Sequence, residues 1–338
     1  MTLFIVIFIV LVFLYFLYLF YPQQQMSHGI HIPIQIPDPK YHNDCLHPCV
    51  RYVKEGFIGH KWWMIQSPYF NRNSKIENPL LFFSDDDDIP THWTFFCVVT
   101  DTPKNGYNSD PNLFIEENKL WVFWRECFTE NCTKLGVDVA VFGKFTEDGK
   151  NFSKPILMLS QNDLLNQDML QSPVLMKIRN KYCFFTVHYE YKPRRKNKSV
   201  LVWESNSLII PNFQFKNNCN VQSTYTCDKF KQVNLFGALF FIPKPLKHDI
   251  WHIDLFFMDK YLYLVSVSEW GDNLIISKST DCVTFTTSRI PLLNNHAIET
   301  KTKERTYFYK PTVVIHNKLL LFYTVTKNNS NHLYLTYL

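Results

Sequence analysis

Apolar and polar positions along the chain repeat a pattern of two short strands joined by a tight turn. Each copy begins with a polar residue, usually next to a Pro, and continues as an apolar strand, a turn and an aromatic-rich strand. The copies open at His47, Asp110, Ser172, His252 and Lys310, with spacings of 63, 62, 80 and 58 residues. Self-similarity at this period is typical of repeat architectures. The pattern therefore predicts an all-β repeat fold.

The turns support this interpretation because Asn or Asp recurs at their tips. Asn118, Asn180, Asp259 and Asn317 each precede an apolar or aromatic strand. Asn and Asp tolerate the positive φ that tight hairpins require. In the first copy a longer turn, residues 54–60, contains two glycines. The following strands are apolar almost throughout, which predicts burial on both faces, as in stacked sheets.

A repeat of about 60 residues with roughly four strands is typical of one blade of a β-propeller. Residues 40–338 accommodate five such blades, but only 28 residues follow Lys310. The last blade must therefore gain a strand from elsewhere. Residues 30–36 alternate as a half-buried strand should, and Pro33 suits an outer edge. We expect this strand, within a linker at residues 23–39, to close the ring.

The N-terminal segment predicts one transmembrane helix ahead of the propeller. Residues 3–21 contain no charge and would span about 28 Å as a helix, close to the thickness of a bilayer core. The run ends in aromatic residues without a small-residue cleavage site, so residues 1–22 are interpreted as an uncleaved, single-pass anchor. The distribution of Lys and Arg gives no orientation. The Asn-x-Ser/Thr sequons at Asn131, Asn151, Asn197 and Asn328 suit a lumenal or extracellular propeller.

Composition excludes several classes of protein. The chain is 17% aromatic and 19% charged with 9 Gly, which excludes disorder, collagen and coiled coil. The net charge of +5 is diluted along the chain, and the basic cluster at residues 192–198 is interpreted as a solvated loop, so no nucleic-acid partner is predicted. Nine cysteines include the short-range pairs Cys127 with Cys132 and Cys219 with Cys227. These pairs could form disulfides, whereas Cys97 and Cys183 lie in apolar surroundings typical of buried thiols.

The polar residues at the strand openings predict a site, because the inner strands of a propeller start at one mouth of the central channel. His47, Asp110, Ser172, His252 and Lys310 would form one constellation there. Additional polar candidates near the same mouth are Glu77, Arg125, Glu126, His188, Glu190 and Asp254.

Taken together, the five copies, His47-Pro48, Asp110-Pro111 and Glu77-Asn78-Pro79 resemble the arabinanase, xylosidase and invertase-like superfamily of five-bladed glycoside hydrolases. The closest likeness is to bacterial glycosidase-like propeller proteins. The resemblance implies a base in blade one, a pKa-modulating Asp in blade two and an acid Glu in blade three. Asp110 matches the modulator. Blade one opens with His47-Pro48-Cys49 in place of the carboxylate base, and blade three opens with Gln171-Ser172-Pro173 where the superfamily would place Glu. Gln cannot donate a proton to a leaving group.

Two functions stay open at this point. The first is a membrane-anchored glycosidase-like enzyme with carboxylates drawn from Asp110, Glu77, Glu126 and Asp254. In it, the substrate would be bound by His47, Arg125, His188, Glu190, His252 and Lys310. The second is a carbohydrate-binding or adhesion propeller without catalysis. Both imply a carbohydrate partner and a membrane partner.

No cofactor is predicted from the residues. The run of His42, Asp44, Cys45, His47 and Cys49 fits no zinc spacing, so no metal ligands are assigned. A structural calcium ion at the channel centre is suggested by analogy alone.

Overall fold

The computed structural model describes residues 30–37, 44–128, 139–161, 169–192, 195–222, 230–235, 238–243, 250–268, 271–288, 291–294, 306–328 and 330–337, with Phe8 and Val12. Of residues 169, 189–192, 195–198, 230–235 and 238–243 it describes the backbone alone. The predicted anchor therefore lies outside the described residues, except for Phe8 and Val12. Cys132 and Cys227, each one half of a predicted short-range cysteine pair, also lie outside them. None of the helices within these ranges is long and apolar enough to span a bilayer.

The described chain is built from short strands. In chain order they are β1 (Ile32–Ile34), β2 (Leu46–Phe57), β3 (His60–Ser67), β4 (Leu80–Ser84), β5 (Thr94–Val98), β6 (Gly106–Glu116), β7 (Lys119–Phe128), β8 (Val139–Thr146), β9 (Ile156–Ser160), β10 (Met169–Ile178), β11 (Lys181–Lys192), β12 (Arg195–Ser205), β13 (Gln214–Gln222), β14 (Phe230–Leu235), β15 (Ala238–Pro243), β16 (Ile250–Met258), β17 (Tyr261–Ser268), β18 (Asn273–Ser279), β19 (Thr284–Thr287), β20 (Leu293–Asn294), β21 (Tyr307–His316), β22 (Lys318–Lys327) and β23 (Ser330–Tyr337). Two 3₁₀ turns, Phe70–Arg72 and Ser74–Ile76, lie between β3 and β4. The prediction of an all-β chain is confirmed.

The strands pair as antiparallel units of four. These are β2–β5, β6–β9, β10–β13, β16–β19, and β21–β23 with β1. The N-terminal strand β1 pairs with the C-terminal strand β23, with Ile32 opposite Leu335. The third and fourth units are joined by a parallel pairing of β13 with β19, β14 and β15 form a separate hairpin, and β20 pairs with β18.

The predicted turns after β6, β10 and β16 are confirmed, whereas the turn of the first sheet is shorter than predicted, because β2 continues to Phe57 and the turn consists of Ile58 and Gly59. β6 and β7 are joined by Glu117 and Asn118, both with positive φ, and Asp259 has a φ of 55° between β16 and β17. At the turn after β10 the positive φ falls on Arg179 and not on Asn180. These hairpins are two residues long, so they fix the register of each inner strand against its neighbour.

The hydrophobic core is divided between the junctions of neighbouring sheets. Trp62 packs with Phe322 between the first and last sheets, and Trp63 packs with Trp124 between the first and second. These three Trp side chains are 0–1% exposed, as predicted from their apolar strands. Further clusters fill the second, third and fourth junctions. Each sheet is therefore buried on both faces.

The first strands of the sheets contact one another in a closed cycle: β2, β6, β10, β16, β21 and back to β2. At every joint of this cycle a side chain accepts a hydrogen bond from a backbone N–H of the next strand. The acceptors are Cys49 for Leu113, Asn112 for Leu175, Ser172 for Ile253, Asp254 for Val313 and Thr312 for Val50. These bonds satisfy donors that no backbone ladder can reach.

One ion pair crosses this cycle. The Arg51 Nη2 atom lies 3.0 Å from Oδ1 of Asp254, and Nη1 donates to Oδ2 at 3.2 Å. Asp254 is 1% exposed and also accepts from the Thr312 hydroxyl at 2.7 Å. Its two oxygens are thus engaged by groups from two other strands, β2 and β21. These hydrogen bonds give Asp254 a structural role, and the sequence-based hypothesis that it is a catalytic carboxylate stays a prediction.

We predict that Asp254→Ala lowers the free energy of unfolding by about 3 kcal/mol or more, because Arg51 then loses its buried partner. Urea unfolding measured by tryptophan fluorescence checks this. The matched control is Asp88→Ala, which removes an ion pair with His316 from a carboxylate that is 77% exposed. That change should alter stability by less than about 0.5 kcal/mol. Equal effects of the two substitutions would contradict the structural role.

Candidate active site at the strand openings

Each inner strand begins with an irregularity in which two residues leave the ladder with the second strand of its sheet. The skipped pairs are His47 with Pro48, Asp110 with Pro111, Ser172 with Pro173, Trp251 with His252, and Tyr309 with Lys310. In the first three, the leading residue has a φ between 48° and 53°. A bulge re-aims side chains that a regular strand would alternate. The openings therefore direct polar groups toward one another.

Asp110 lies at the centre of the group. Its Oδ1 is 3.1 Å from Nε2 of His47 and 3.6 Å from Nδ1 of His252. Its Oδ2 is 3.0 Å from Nε of Arg125 and accepts a hydrogen bond from the Ser172 backbone N–H at 3.1 Å. Burial opposes ionisation of this carboxyl, but the Arg125 guanidinium and the imidazoles hold its pKa below the usual range. Asp110 is thus a buried carboxylate surrounded by cations and ring nitrogens.

His47 stands between the two carboxyl groups of the site. Its Nδ1 atom is 3.5 Å from Oε1 of Glu77, on the opposite side of the ring from Asp110. Glu77 follows the second 3₁₀ turn and accepts a hydrogen bond from the Ser109 hydroxyl at 3.2 Å. Burial, together with the charge of Asp110, raises the pKa of Glu77 to about 8. Burial lowers the pKa of His47 to about 3. The neutral imidazole of His47 therefore lies next to the carboxyl group of Glu77, which is readily protonated near neutral pH.

His252 and Lys310 complete the buried set. Burial lowers the pKa of His252 well below its ordinary value, so its imidazole is neutral. Lys310 is fully buried, and its Nζ donates to the Pro111 carbonyl at 3.0 Å, across the channel from its own strand. This bond holds the bulge that carries Asp110.

An aromatic wall borders the histidines. The Tyr309 ring packs in tilted geometry against His252 and His47, at centroid distances of 4.7 Å and 5.1 Å. Trp251 lies 4.8 Å from Tyr309. The sequence pattern equates His252 and Lys310 with Asp110, but in the structure Trp251 and Tyr309 occupy the leading bulge positions. The sequence signal for this shift is an aromatic residue one place before each of these two polar openings.

His47, Asp110 and His252 can hold a divalent cation. One ligand atom from each lies within 4.8 Å of the others, and all three residues are buried. Among the described residues, His47 Nε2, Asp110 Oδ1 and both ring nitrogens of His252 have no aligned hydrogen-bond partner. Buried polar atoms without partners are costly, and imidazole nitrogen with carboxylate oxygen is a common ligand set for catalytic metals. These three residues are 63 and 142 positions apart in the chain, so no local spacing motif indicates them as metal ligands.

Other predicted site residues lie elsewhere or are not described. Glu126 neighbours Arg125 on β7, and because side chains alternate along a strand it points away from Asp110. The His188 Nδ1 atom lies 3.4 Å from the Ser199 hydroxyl on β12. The Glu190 side chain lies outside the described part. Gln171 stands on β10 where the superfamily would place its acid, and the adjacent Ser172 accepts a hydrogen bond from the Ile253 backbone N–H at 3.2 Å.

Comparisons with known proteins show the fold. No family model and no curated protein sequence matches the chain. Among solved structures, an N-acetylgalactosamine deacetylase from F. plautii, in complex with blood group B trisaccharide, is similar with a TM-score of 0.62 and 14% identity. That match covers 93% of this chain and 94% of the deacetylase.

Two glycoside hydrolases are also similar in fold. RS223-Beta-xylosidase has a TM-score of 0.56 at 10% identity, covering 87% of this chain and 92% of the xylosidase. A GH32 beta-fructofuranosidase from Bombyx mori has a TM-score of 0.54 at 12% identity, covering 90% of this chain and 60% of the other. The resemblance to propeller glycoside hydrolases is therefore confirmed at the level of the fold.

We predict that the full-length protein binds one Mn²⁺ or Zn²⁺ ion per chain through these three residues. Isothermal titration calorimetry on protein treated with a chelator measures this. Asp110→Asn and His252→Ala should each weaken binding at least 100-fold, since each removes a ligand. Asp148→Asn, a change in an exposed turn, should leave binding unaltered. If all three variants bind the metal with the same affinity, the ion binds at another place and the prediction is wrong.

Proposed function

We propose that the protein is a five-bladed propeller hydrolase that removes an acyl group from an N-acylated amino sugar at the mouth of the channel. The observation that carries this proposal is the buried set of His47, Asp110 and His252 beside Glu77. Support comes from the closed cycle of inner strands and from the deacetylase of similar fold.

The residues divide the work as follows. His47, Asp110 and His252 would hold the cation, which when bound would polarise a carbonyl oxygen and acidify a water molecule. Glu77 is placed to accept the proton of the attacking water and return it to the leaving amine, as its raised pKa favours near neutral pH. Ser109 fixes one carboxyl oxygen of Glu77 by its hydrogen bond. Trp251 and Tyr309 form an apolar wall against which a sugar ring can lie.

Glycosidic cleavage is the second candidate, since several proteins of similar fold are glycoside hydrolases. Such chemistry requires an acid and a base or nucleophile on opposite sides of the bond that breaks. Here the His47 ring stands between Glu77 and Asp110, and Asp110 is enclosed by Arg125, Ser172 and the imidazoles. This arrangement favours deacylation. A glycan-binding propeller without turnover is the third reading.

One substrate separates these functions. With p-nitrophenyl N-acetylgalactosaminide and Mn²⁺, we expect release of acetate without release of p-nitrophenol. Glu77→Gln should lower kcat by a factor of about 100 to 10,000, because proton transfer is lost. Glu126→Gln, on the other face of β7, is the matched control and should retain activity. Release of p-nitrophenol instead would identify a glycosidase, and binding with neither product would identify a lectin.

We also propose that residues 1–22 anchor the protein, with the propeller on the lumenal or extracellular side. The uncharged run of residues 3–21 supports this. We expect the full chain to stay in the membrane pellet after carbonate extraction, while a chain starting at residue 23 is released, because only the former has an apolar span. In intact vesicles whose cytosolic face is on the outside, a lumenal propeller is protected from added protease. Digestion of the propeller in such vesicles would contradict the proposed orientation.

A further inference from the structure

The junction of the third and fourth sheets brings two cysteines together. Within the described residues, β13 and β19 form the one direct strand pairing between neighbouring four-stranded units, with Asn220 opposite Thr284. The Asn220 backbone N–H also donates to the Val283 carbonyl at 2.9 Å. Cys219 immediately precedes the paired part of β13, and Cys282 lies in the turn before β19. Each sheet therefore contributes one thiol to this junction.

Cys282 occupies a backbone position that suits glycine. Two equivalent turns have an Asp that accepts hydrogen bonds from backbone N–H groups two and three residues later: Asp148 and Asp281. The next residue is Gly149, with a φ of 72°, in the first turn and Cys282, with a φ of 63°, in the second. Left-handed backbone disfavours residues with a β-carbon. A cysteine at position 282 therefore carries a backbone cost that glycine would avoid, which indicates that its thiol has a structural or functional role.

The geometry supplies a partner for that thiol. The Cys219 Sγ atom lies 3.9 Å from the Cys282 carbonyl oxygen, and both residues pack against the same apolar cluster. If the parallel register is continued by one residue, Cys219 lies opposite Val283, the neighbour of Cys282. In a regular strand pair, residues with this offset of one have Cα atoms about 6 Å apart, and Cys282 lies in the turn just before the paired strand. A disulfide bridges Cα atoms about 4.4–6.8 Å apart.

We propose that Cys219 and Cys282 form a structural disulfide that joins the third and fourth sheets at their outer edge. Both are free thiols in the structure, so the bond requires an oxidant, for which a low-molecular-weight disulfide such as oxidised glutathione serves. The Cys282 thiolate, from the more exposed thiol, attacks that disulfide and releases one glutathione thiolate. The Cys219 thiolate then displaces the second from the mixed disulfide. The two cysteine protons pass to the two released thiolates.

This disulfide is independent of the proposed enzymatic activity. It belongs to an oxidising compartment, since such bonds are rare in reducing ones. Burial raises the pKa of the Cys219 thiol to about 12, so little thiolate is present and Cys219 is also a poor leaving group. The bond therefore forms slowly and exchanges slowly once formed. In the other four inner strands, the residue two places after the opening accepts the hydrogen bond from the next strand. In β10 this residue is Val174, which has no acceptor atom in its side chain, so the Ser172 hydroxyl accepts the bond from the fourth sheet. The outer bond would strengthen this joint.

The test uses the full-length protein in detergent, incubated with oxidised glutathione, alkylated and digested for mass spectrometry. We expect one peptide pair linked through Cys219 and Cys282. Relative to protein treated with dithiothreitol, Tm should rise by roughly 5 °C or more, because the bond closes a loop of more than sixty residues.

Two variants make the result decisive. Cys282→Gly suits the left-handed position, so the reduced variant should melt at or above the reduced wild type and should gain nothing on oxidation. Cys183→Ser, which removes a neighbouring buried thiol of the same cluster, should keep the linked peptide and the gain in Tm. The proposal is overturned if Cys219 links to Cys183 or Cys227, if both thiols are alkylated after oxidation, or if Cys282→Gly gains as much as the wild type.

Discussion

The closed cycle of inner strands is the constraint on which the rest of the structure depends. Neighbouring inner strands belong to different sheets, so each presents backbone N–H groups that no ladder satisfies. A buried donor without a partner is costly. The chain meets this requirement five times with five different acceptors, a thiol, an amide, two hydroxyls and a carboxylate. The polar residues inside otherwise apolar strands are therefore needed to join the sheets.

The same closure creates the site. Bulges at the start of the inner strands remove residue pairs from the ladder, and their side chains gather where the strands converge. Asp110 is fully buried there, and a buried carboxylate is tolerated only when opposite charges and donors compensate its lost hydration. Arg125, Ser172 and the histidines provide that compensation. Because these partners come from four strands, the geometry of the site depends on the closed ring.

The sequence predicted those features of the fold that local chemistry determines. Asn118 and Asp259 identify turns because positive φ is a property of single residues, and Trp62 and Trp124 identify buried strands by their apolar neighbours. The polar openings also directed attention to His47, Asp110 and His252. The sequence could not show that Asp254 pairs with Arg51 or that Glu77 adjoins His47, since these contacts exist only after distant strands meet. The bulge register at Trp251 and Tyr309 was missed for the same reason.

The residues at the openings also change the chemistry that the fold supports. A neutral imidazole at His47 can bind a cation, whereas the carboxylate expected in the opening of the first sheet by resemblance would activate water directly. Gln171 cannot act as the carboxylic acid expected on the third inner strand, because a side-chain amide has no acidic proton to donate to a leaving group. Among the described residues of the mouth, Glu77 is the carboxyl whose pKa lies near neutrality. Proton transfer in the proposed reaction is therefore concentrated on one carboxyl beside a cation site, as amide hydrolysis requires, instead of being divided between two opposed carboxyls.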